Sequence, residues 1–144
     1  MIIYTIGFTK KTAEQFFECL RASGASRLID VRLKNVSQLA GFSKRDDLKY
    51  FARTICRFDY LHLPLLAPTQ DILEDFKKRK GEWSVYEQRF LALMSSRQID
   101  IAVSREQLDH ACLLCSEDTA HHCHRRLVAE YLAKKWGDVE IVHL

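Results

Sequence analysis

The densest group of chemically reactive side chains lies in residues 115–126, CSEDTAHHCHRR. The segment holds two cysteines, three histidines, two acidic residues and two arginines. The apolar periodicity of residues 123–136 predicts a helix that begins inside it. A cysteine at a helix N-terminus, beside an imidazole and a guanidinium, has its thiolate stabilised. We therefore expect Cys123 to be a nucleophile and His124 a proton carrier, with the helix amides and Arg125 holding a phosphate or carboxylate.

The acidic residue Glu117 follows the apolar run 111–115, which predicts a buried strand. It is a candidate general base or general acid. Alternatively, Glu117 orients Arg125 through an ion pair that only stabilises the loop, and Cys123 packs as a small apolar residue. Both alternatives stay open at this point.

The same segment also contains ligand types that bind Zn²⁺ or Fe²⁺. The candidate ligands are Cys115, His121, Cys123 and His124. Structural zinc sites usually bring paired ligands such as C-x₂-C, and the spacing here is different. An open site completed by Asp30 or His62 is a further alternative.

Strand and helix patterns alternate along the chain. The strands are predicted at residues 2–6, 27–32, 58–63, 111–115 and 139–143. The longer helices are predicted between residues 12 and 24 and at 46–55, 70–80, 84–95 and 123–136, with Ser104 opening a short one. Residues 33–43 are predicted to be a loop, and residues 99–103 are compatible with a short strand or a turn. The alternation predicts a three-layer α/β fold with a mostly parallel central sheet of about five strands and helices on both faces.

Ligands bind beyond the carboxyl ends of the strands in such a sheet. Asp30 and Arg32 lie there on one face of a strand, since residues two apart project together. Asp30 could pair with a cation or hold an arginine, and Arg32 could receive an anion. Both could instead lie at a solvent-exposed strand end.

A second candidate binding feature is a basic stripe formed by Lys49, Arg53 and Arg57, four residues apart on or beside one predicted helix. Lys44 and Arg45 lie nearby. This stripe could contact a phosphate backbone, or it could be a solvated helix face. It supports an alternative function as a non-catalytic nucleic-acid-binding module.

Three segments together resemble the uncharacterised family catalogued as domain of unknown function 488. They are YTIGFTKKTAEQFFECL, LIDVR followed by a loop ending in GFSK, and LLCSEDTAHHCHRRLVAEYL. The resemblance implies that particular positions belong to a site, without implying an activity. Those positions are Gly7, Asp30, Arg32, Ser37, Cys115, Glu117, Cys123, His124 and Arg125. The IDVR strand also resembles rhodanese-type proteins, but the spacing from cysteine to arginine does not match their loop.

Length and composition limit the function classes. The 144 residues predict a single α/β domain over 1–144, and the net charge of +3 does not by itself imply a polyanionic partner. No apolar run is long enough to predict a membrane span, and the odd number of cysteines favours a reduced, cytoplasmic protein. We expect an enzyme acting on an anionic substrate such as a nucleotide or nucleic acid, with Arg32, Arg125, Asp30, Gly7 and Ser37 as its anion site. A metal-binding protein remains an alternative, and the oligomeric state is not indicated.

Overall fold

The computed structural model describes the backbone of residues 1–144 and every side chain outside residues 38–40. Its strands are β1 (Ile2–Gly7), β2 (Arg27–Asp30), β3 (Asp59–His62), β4 (Ala111–Cys115) and β5 (Glu140–His143). They form one sheet in the order β3-β2-β4-β1-β5, and each pair of neighbours is parallel. The predicted five-stranded sheet is therefore confirmed, with β4 at its centre.

Helices cover both faces of the sheet, so the predicted three-layer α/β fold is confirmed. The helices are α1 (Ala13–Ala22), α2 (Arg45–Phe51), α3 (Gln70–Lys77), α4 (Trp83–Ser96), α5 (Ile99–Ala102), α6 (Arg105–Leu108) and α7 (His124–Trp136). Short 3₁₀ turns occupy Gln38–Ser43 and Pro64–Leu66, and a π-helical segment at Ala52–Cys56 continues α2. No helix among the described residues is long and apolar enough to cross a membrane.

The alternation of side chains along β4 divides the interior into two cores. Ala111, Leu113 and Cys115 pack on the face covered by α4 and α7. Cys112 and Leu114 pack on the opposite face, against α1 and α2. Successive residues of a strand point to opposite faces, so the five buried side chains of β4 contribute to both cores. The last of them, Cys115, points toward α7.

Two predictions about the connections need correction. Residues 99–103 form neither a strand nor a simple turn, because most of them belong to the short helix α5. Ile99 is fully buried there, whereas Ile101 is 74% exposed. The predicted loop 33–43 contains the 3₁₀ segment Gln38–Ser43. The predicted cap of the short helix α6 is confirmed, since Ser104 accepts a hydrogen bond from the Gln107 amide at 3.0 Å.

The connections after β1 and β4 create a crevice at the carboxyl edge. These two strands are neighbours, yet the helices that follow them, α1 and α7, cover opposite faces of the sheet. The connections that follow β1 and β4 therefore diverge at this edge and leave a crevice between them. Ligands bind at such switch points in open α/β sheets. The fold thus places the carboxyl ends of β1, β2 and β4 next to this crevice.

Candidate active site

A cavity of about 370 Å³ lies at the carboxyl edge of β1, β2 and β4. Its lining residues come from five parts of the chain and are Phe8, Arg32, Leu33, Lys34, Asn35, Ser37, Pro68, Gln70, Leu73, Cys115, Ser116 and His124. Arg32 and His124, which are distant in sequence, thus line the same cavity. The strand tip at Arg32 and the start of α7 meet as the sequence analysis requires.

A thiol and an imidazole form a pair on the cavity wall. The Cys115 Sγ lies 3.6 Å from Nδ1 of His124, and Nε2 of the same ring lies 2.7 Å from the backbone oxygen of Val31. A carbonyl oxygen only accepts hydrogen bonds, so Nε2 must carry the proton that is donated. In the neutral imidazole this leaves the lone pair of Nδ1 facing the sulfur. The backbone oxygen of Val31, the residue directly after β2, therefore sets the tautomer of His124.

The surroundings of Cys115 favour its thiolate. A hydrogen bond from the Cys123 thiol lowers the pKa of Cys115, and this effect outweighs burial, which would raise the pKa. Hydrogen bonds from the amides of Ser116 and Glu117 and the charge of Arg125 lower the pKa further. The hydrogen bond to Cys115 and burial both raise the pKa of Cys123.

The arginine that the sequence analysis assigned to the anion site lies beneath the loop that follows β4. Arg125 is 1% exposed, and its Nη1 donates to the backbone oxygen of Glu117 at 2.7 Å. Its Nε donates to Oγ1 of Thr5 at 3.3 Å. No carboxylate of the described side chains lies within salt-bridge distance of this guanidinium. Arg125 therefore positions the loop and provides a buried positive charge near Cys115.

Gly7 permits the close approach of this loop to β1. A Cβ atom at Gly7 would lie 1.6 Å from the backbone oxygen of Glu117 and 2.9 Å from Nη1 of Arg125. No side chain fits in that space. Gly7 thus supports the loop that ends β4 and does not line the cavity.

Asp30 and Arg32 form a buried ion pair. Asp30 is fully buried, and Arg32 donates to both of its carboxylate oxygens, at 2.9 Å and 2.8 Å. Asn35 and Tyr60 also donate to Oδ2 of Asp30, at 3.3 Å and 2.5 Å. Burial would raise the pKa of Asp30, but the hydrogen bonds and charge of Arg32 hold it below its ordinary value. The strand end is therefore not exposed to solvent, and Asp30 itself balances most of the charge of Arg32.

The remaining predicted site residues are divided between the cavity and its surroundings. The Glu117 carboxylate pairs with Lys77 of α3, so the expected ion pair with Arg125 does not form. His121 is exposed and stacks on His122, with ring centroids 4.3 Å apart. Ser37 is exposed and lines the cavity.

Three of the four predicted metal ligands meet. Ligand atoms of Cys115, Cys123 and His124 all lie within 4.8 Å of one another, and all three residues are buried. The fourth candidate, His121, is not part of this group. Asp30 and His62 do not complete the group either, because Asp30 binds Arg32 and Nε2 of His62 donates to the backbone oxygen of Arg32 at 2.7 Å.

The predicted basic stripe lies on the other side of the sheet from Cys115. Lys49, Arg53 and Arg57 are exposed. The helix changes from α to π geometry at Ala52 and ends at Cys56, so Arg57 lies beyond it, in the left-handed backbone conformation. Nearby, Arg45 pairs with the neighbouring Asp46 at 3.0 Å, which reduces the local positive charge. Contact with nucleic acid through this stripe stays a prediction.

Lys34 is a cavity residue that the sequence analysis missed. It is exposed and lines the cavity together with Arg32. The described side chains provide no salt-bridge partner for it. Its signal was weak because it lies in the aperiodic stretch 33–43. Lys34 therefore provides a positive charge at the cavity. Unlike the charge of Arg32, it is not balanced by a carboxylate among the described side chains.

The fold and the site define a three-layer α/β protein with a thiol–imidazole pair at the carboxyl edge of a parallel sheet. The chain belongs to the family described as domain of unknown function DUF488, whose model matches residues 12–132. The resemblance stated from the sequence is thereby confirmed. No curated protein and no solved structure matches the chain.

The buried ion pair leads to a stability prediction for Asp30→Asn. This variant leaves the Arg32 guanidinium buried without its carboxylate, so we expect the free energy of unfolding to fall by about 3–5 kcal/mol. Urea denaturation measures the change. Asp46→Asn removes the exposed partner of Arg45 and is the control, which we expect to shift the urea midpoint very little.

The pH dependence of the same effect has a defined sign. The pKa of Asp30 is lower in the folded protein, so the unfolded chain binds the proton more readily. The stabilisation is therefore present above about pH 4 and is lost as the pH falls through the folded-state pKa. The stability difference between the wild type and Asp30→Asn should shrink over that range. A difference that stays constant from neutral to strongly acidic pH would contradict the assignment.

Proposed function

We propose that the protein is an enzyme that acts on an anionic, phosphate-bearing substrate, with Cys115 as the nucleophile and His124 as its base. The observation that carries the proposal is the 3.6 Å separation of Cys115 Sγ and His124 Nδ1 on the wall of the cavity. A nucleophile beside a base whose orientation is fixed by a third group is the general arrangement of covalent catalysis. Here the third group is the backbone oxygen of Val31.

The orientation of the two cysteines favours Cys115 over Cys123 as the nucleophile. Cys115 and His124 line the 370 Å³ cavity, whereas Cys123 is not among its lining residues and lines a separate void of about 20 Å³. A substrate in the cavity could reach the Cys115 sulfur without displacing α7. Cys123 then acts as a hydrogen-bond donor to the nucleophile.

The proposed reaction begins with transfer of the Cys115 thiol proton to Nδ1 of His124. The sulfur electron pair forms a bond to an electrophilic carbon or phosphorus of the substrate, and the leaving group departs with the electrons of the broken bond. The imidazolium then returns its proton to that leaving group. Water or a second substrate then gives a proton to Nδ1 of His124 and attacks the intermediate, and the bond to Cys115 breaks with its electrons going to sulfur. The thiolate takes the proton back from His124.

Positive charge at the cavity supports the choice of an anionic substrate. Arg32 lines the cavity, but Asp30 already neutralises most of its charge. Lys34 is the exposed cation on the same wall. We therefore assign the first electrostatic contact with substrate to Lys34, and orientation of the bound anion to Arg32 and Ser37.

A reducing compartment suits this chemistry. All five cysteines of the chain are free thiols, and a free nucleophilic thiol persists where disulfides are kept reduced. We accordingly assign the protein to the cytoplasm. The Glu117 carboxylate lies with Lys77 outside the large cavity, so we give it no proton-transfer role in this scheme.

The nucleophile is tested by alkylation with iodoacetamide in the presence of a chelator. We expect Cys115 to be modified faster than the half-buried Cys19, although Cys115 is only 5% exposed. His124→Gln should slow the modification of Cys115 at least tenfold, because the base is lost. Peptide mass spectrometry over time identifies each modified thiol.

Cys19→Ser is the matched control for this experiment, since it removes a thiol that lies outside the site. It should leave the rate at Cys115 unchanged. Faster modification of Cys123 than of Cys115, or an unchanged rate in His124→Gln, would contradict the assignment.

The charge of the substrate is tested by comparing iodoacetate, an anion, with neutral iodoacetamide. Lys34→Gln should lower the ratio of the two alkylation rates at Cys115 about two- to fivefold, because a nearby positive charge is lost. Lys49→Gln removes an exposed lysine far from the cavity and should leave the ratio unchanged. Equal ratios in the wild type and both variants would exclude Lys34 from anion binding.

A further inference from the structure

The side chains of Cys115, Cys123 and His124 are also grouped in a way that suits a metal ion. Cys115 comes from the end of β4, Cys123 is the residue before α7, and His124 is its first residue. Their ligand atoms converge to within 4.8 Å although the loop between the cysteines spans seven residues. We propose that these three side chains form a Zn²⁺ site and that zinc bound there blocks the Cys115 nucleophile. The inhibitory part of this inference rests on the proposed function.

The distances fit tetrahedral zinc. With Zn–S bonds of about 2.3 Å and Zn–N bonds of about 2.0–2.1 Å, a sulfur and a nitrogen on adjacent corners are about 3.6 Å apart. The observed distance from Cys115 Sγ to His124 Nδ1 is 3.6 Å. Two sulfurs on adjacent corners are about 3.8 Å apart. Cys123 is within 4.8 Å and needs to move by about 1 Å at most.

The outer hydrogen bond of His124 also suits a metal ligand. Histidines that bind zinc usually donate their second ring N–H to a carboxylate or a backbone carbonyl, which fixes the coordinating nitrogen. Nε2 of His124 makes this bond to the Val31 oxygen at 2.7 Å. Nδ1 is thereby aimed at the two sulfurs before any ion arrives.

Charge and ligand type favour zinc among the common divalent ions. Two thiolates and one imidazole are soft ligands that suit zinc better than magnesium or calcium. Zn²⁺ with two thiolates carries no net charge, so the buried complex avoids the cost of an isolated ion. The fourth position would face the cavity that Cys115 and His124 line, where a water molecule could complete the coordination.

Bound zinc opposes thiol chemistry at Cys115. The Zn–S bond withdraws electron density from the sulfur and so weakens the nucleophile, and coordination of Nδ1 of His124 removes the base. Zinc would therefore suppress the reaction, and its removal would restore it. Cys123 helps to distinguish the two roles, because it would be a ligand of the ion, whereas in the reaction it only donates a hydrogen bond to the nucleophile.

The test uses zinc chloride with purified, chelator-treated protein. Competition with a chromophoric chelator should show one zinc per chain, and zinc should slow iodoacetamide modification of Cys115 at least tenfold. Cys123→Ser should weaken zinc binding at least tenfold and reduce the protection by zinc to a factor near one. Serine is also a favoured residue before a helix, so the start of α7 is preserved. Cys19→Ser is the control that should bind and protect like the wild type.

The zinc site and the Cys115 nucleophile can fail independently, and the experiment distinguishes the two failures. A wild type that binds no zinc, or a Cys123→Ser variant that binds it equally well, overturns the zinc site. If Cys115 is alkylated rapidly in that protein, the proposed function stands. One bound zinc in a protein whose metal-free Cys115 does not react supports the site, but overturns both the nucleophile and the inhibitory role. Zinc that binds as expected without protecting Cys115 overturns the inhibitory role.

Discussion

The hydrogen bond from Nε2 of His124 to the Val31 oxygen is the interaction on which the site depends. It joins the start of α7 to the end of β2, two segments 93 positions apart in the chain. It also determines that Nδ1 faces Cys115, at the tip of the central strand. Without this bond the ring could turn its lone pair elsewhere, and neither a base for the thiol nor a zinc ligand would be in place.

Two buried arginines hold the surrounding backbone by different means. Arg32 is neutralised by Asp30 and donates to the backbone oxygen of Ser43 at 2.7 Å, which ties the loop after β2 to the strand. Arg125 has no such carboxylate among the described side chains and donates to neutral oxygens instead. Arg32 thus stabilises the backbone and adds little net charge. Arg125 leaves a positive charge near Cys115, which favours the thiolate form of that cysteine.

The sequence predicted the architecture better than the roles within the site. Short runs rich in apolar and β-branched residues located all five strands, and β1, β2 and β4 are almost completely buried. Helical periodicity located α7, which buries Leu127, Val128 and Leu132. The prediction failed at residues 99–103, because a five-residue, mostly apolar segment does not distinguish a short helix from a strand. The choice between Cys115 and Cys123 depends on the face toward which the end of β4 points, which requires the packing of α7. Lys34 was not predictable from an aperiodic loop. The sequence left open whether Asp30 holds an arginine or lies at an exposed strand end, and the buried pair with Arg32 decides this.

The protonation of the His124 ring tests the central claim most directly. Long-range ¹H–¹⁵N correlation spectra of the metal-free protein identify which ring nitrogen carries a proton. We predict a proton on Nε2 throughout the pH range in which the protein is folded, with Nδ1 unprotonated in the neutral ring. A neutral His124 with its proton on Nδ1 would contradict the account. Nε2 could then not donate to the Val31 oxygen, and Nδ1 would have no lone pair to accept the Cys115 proton.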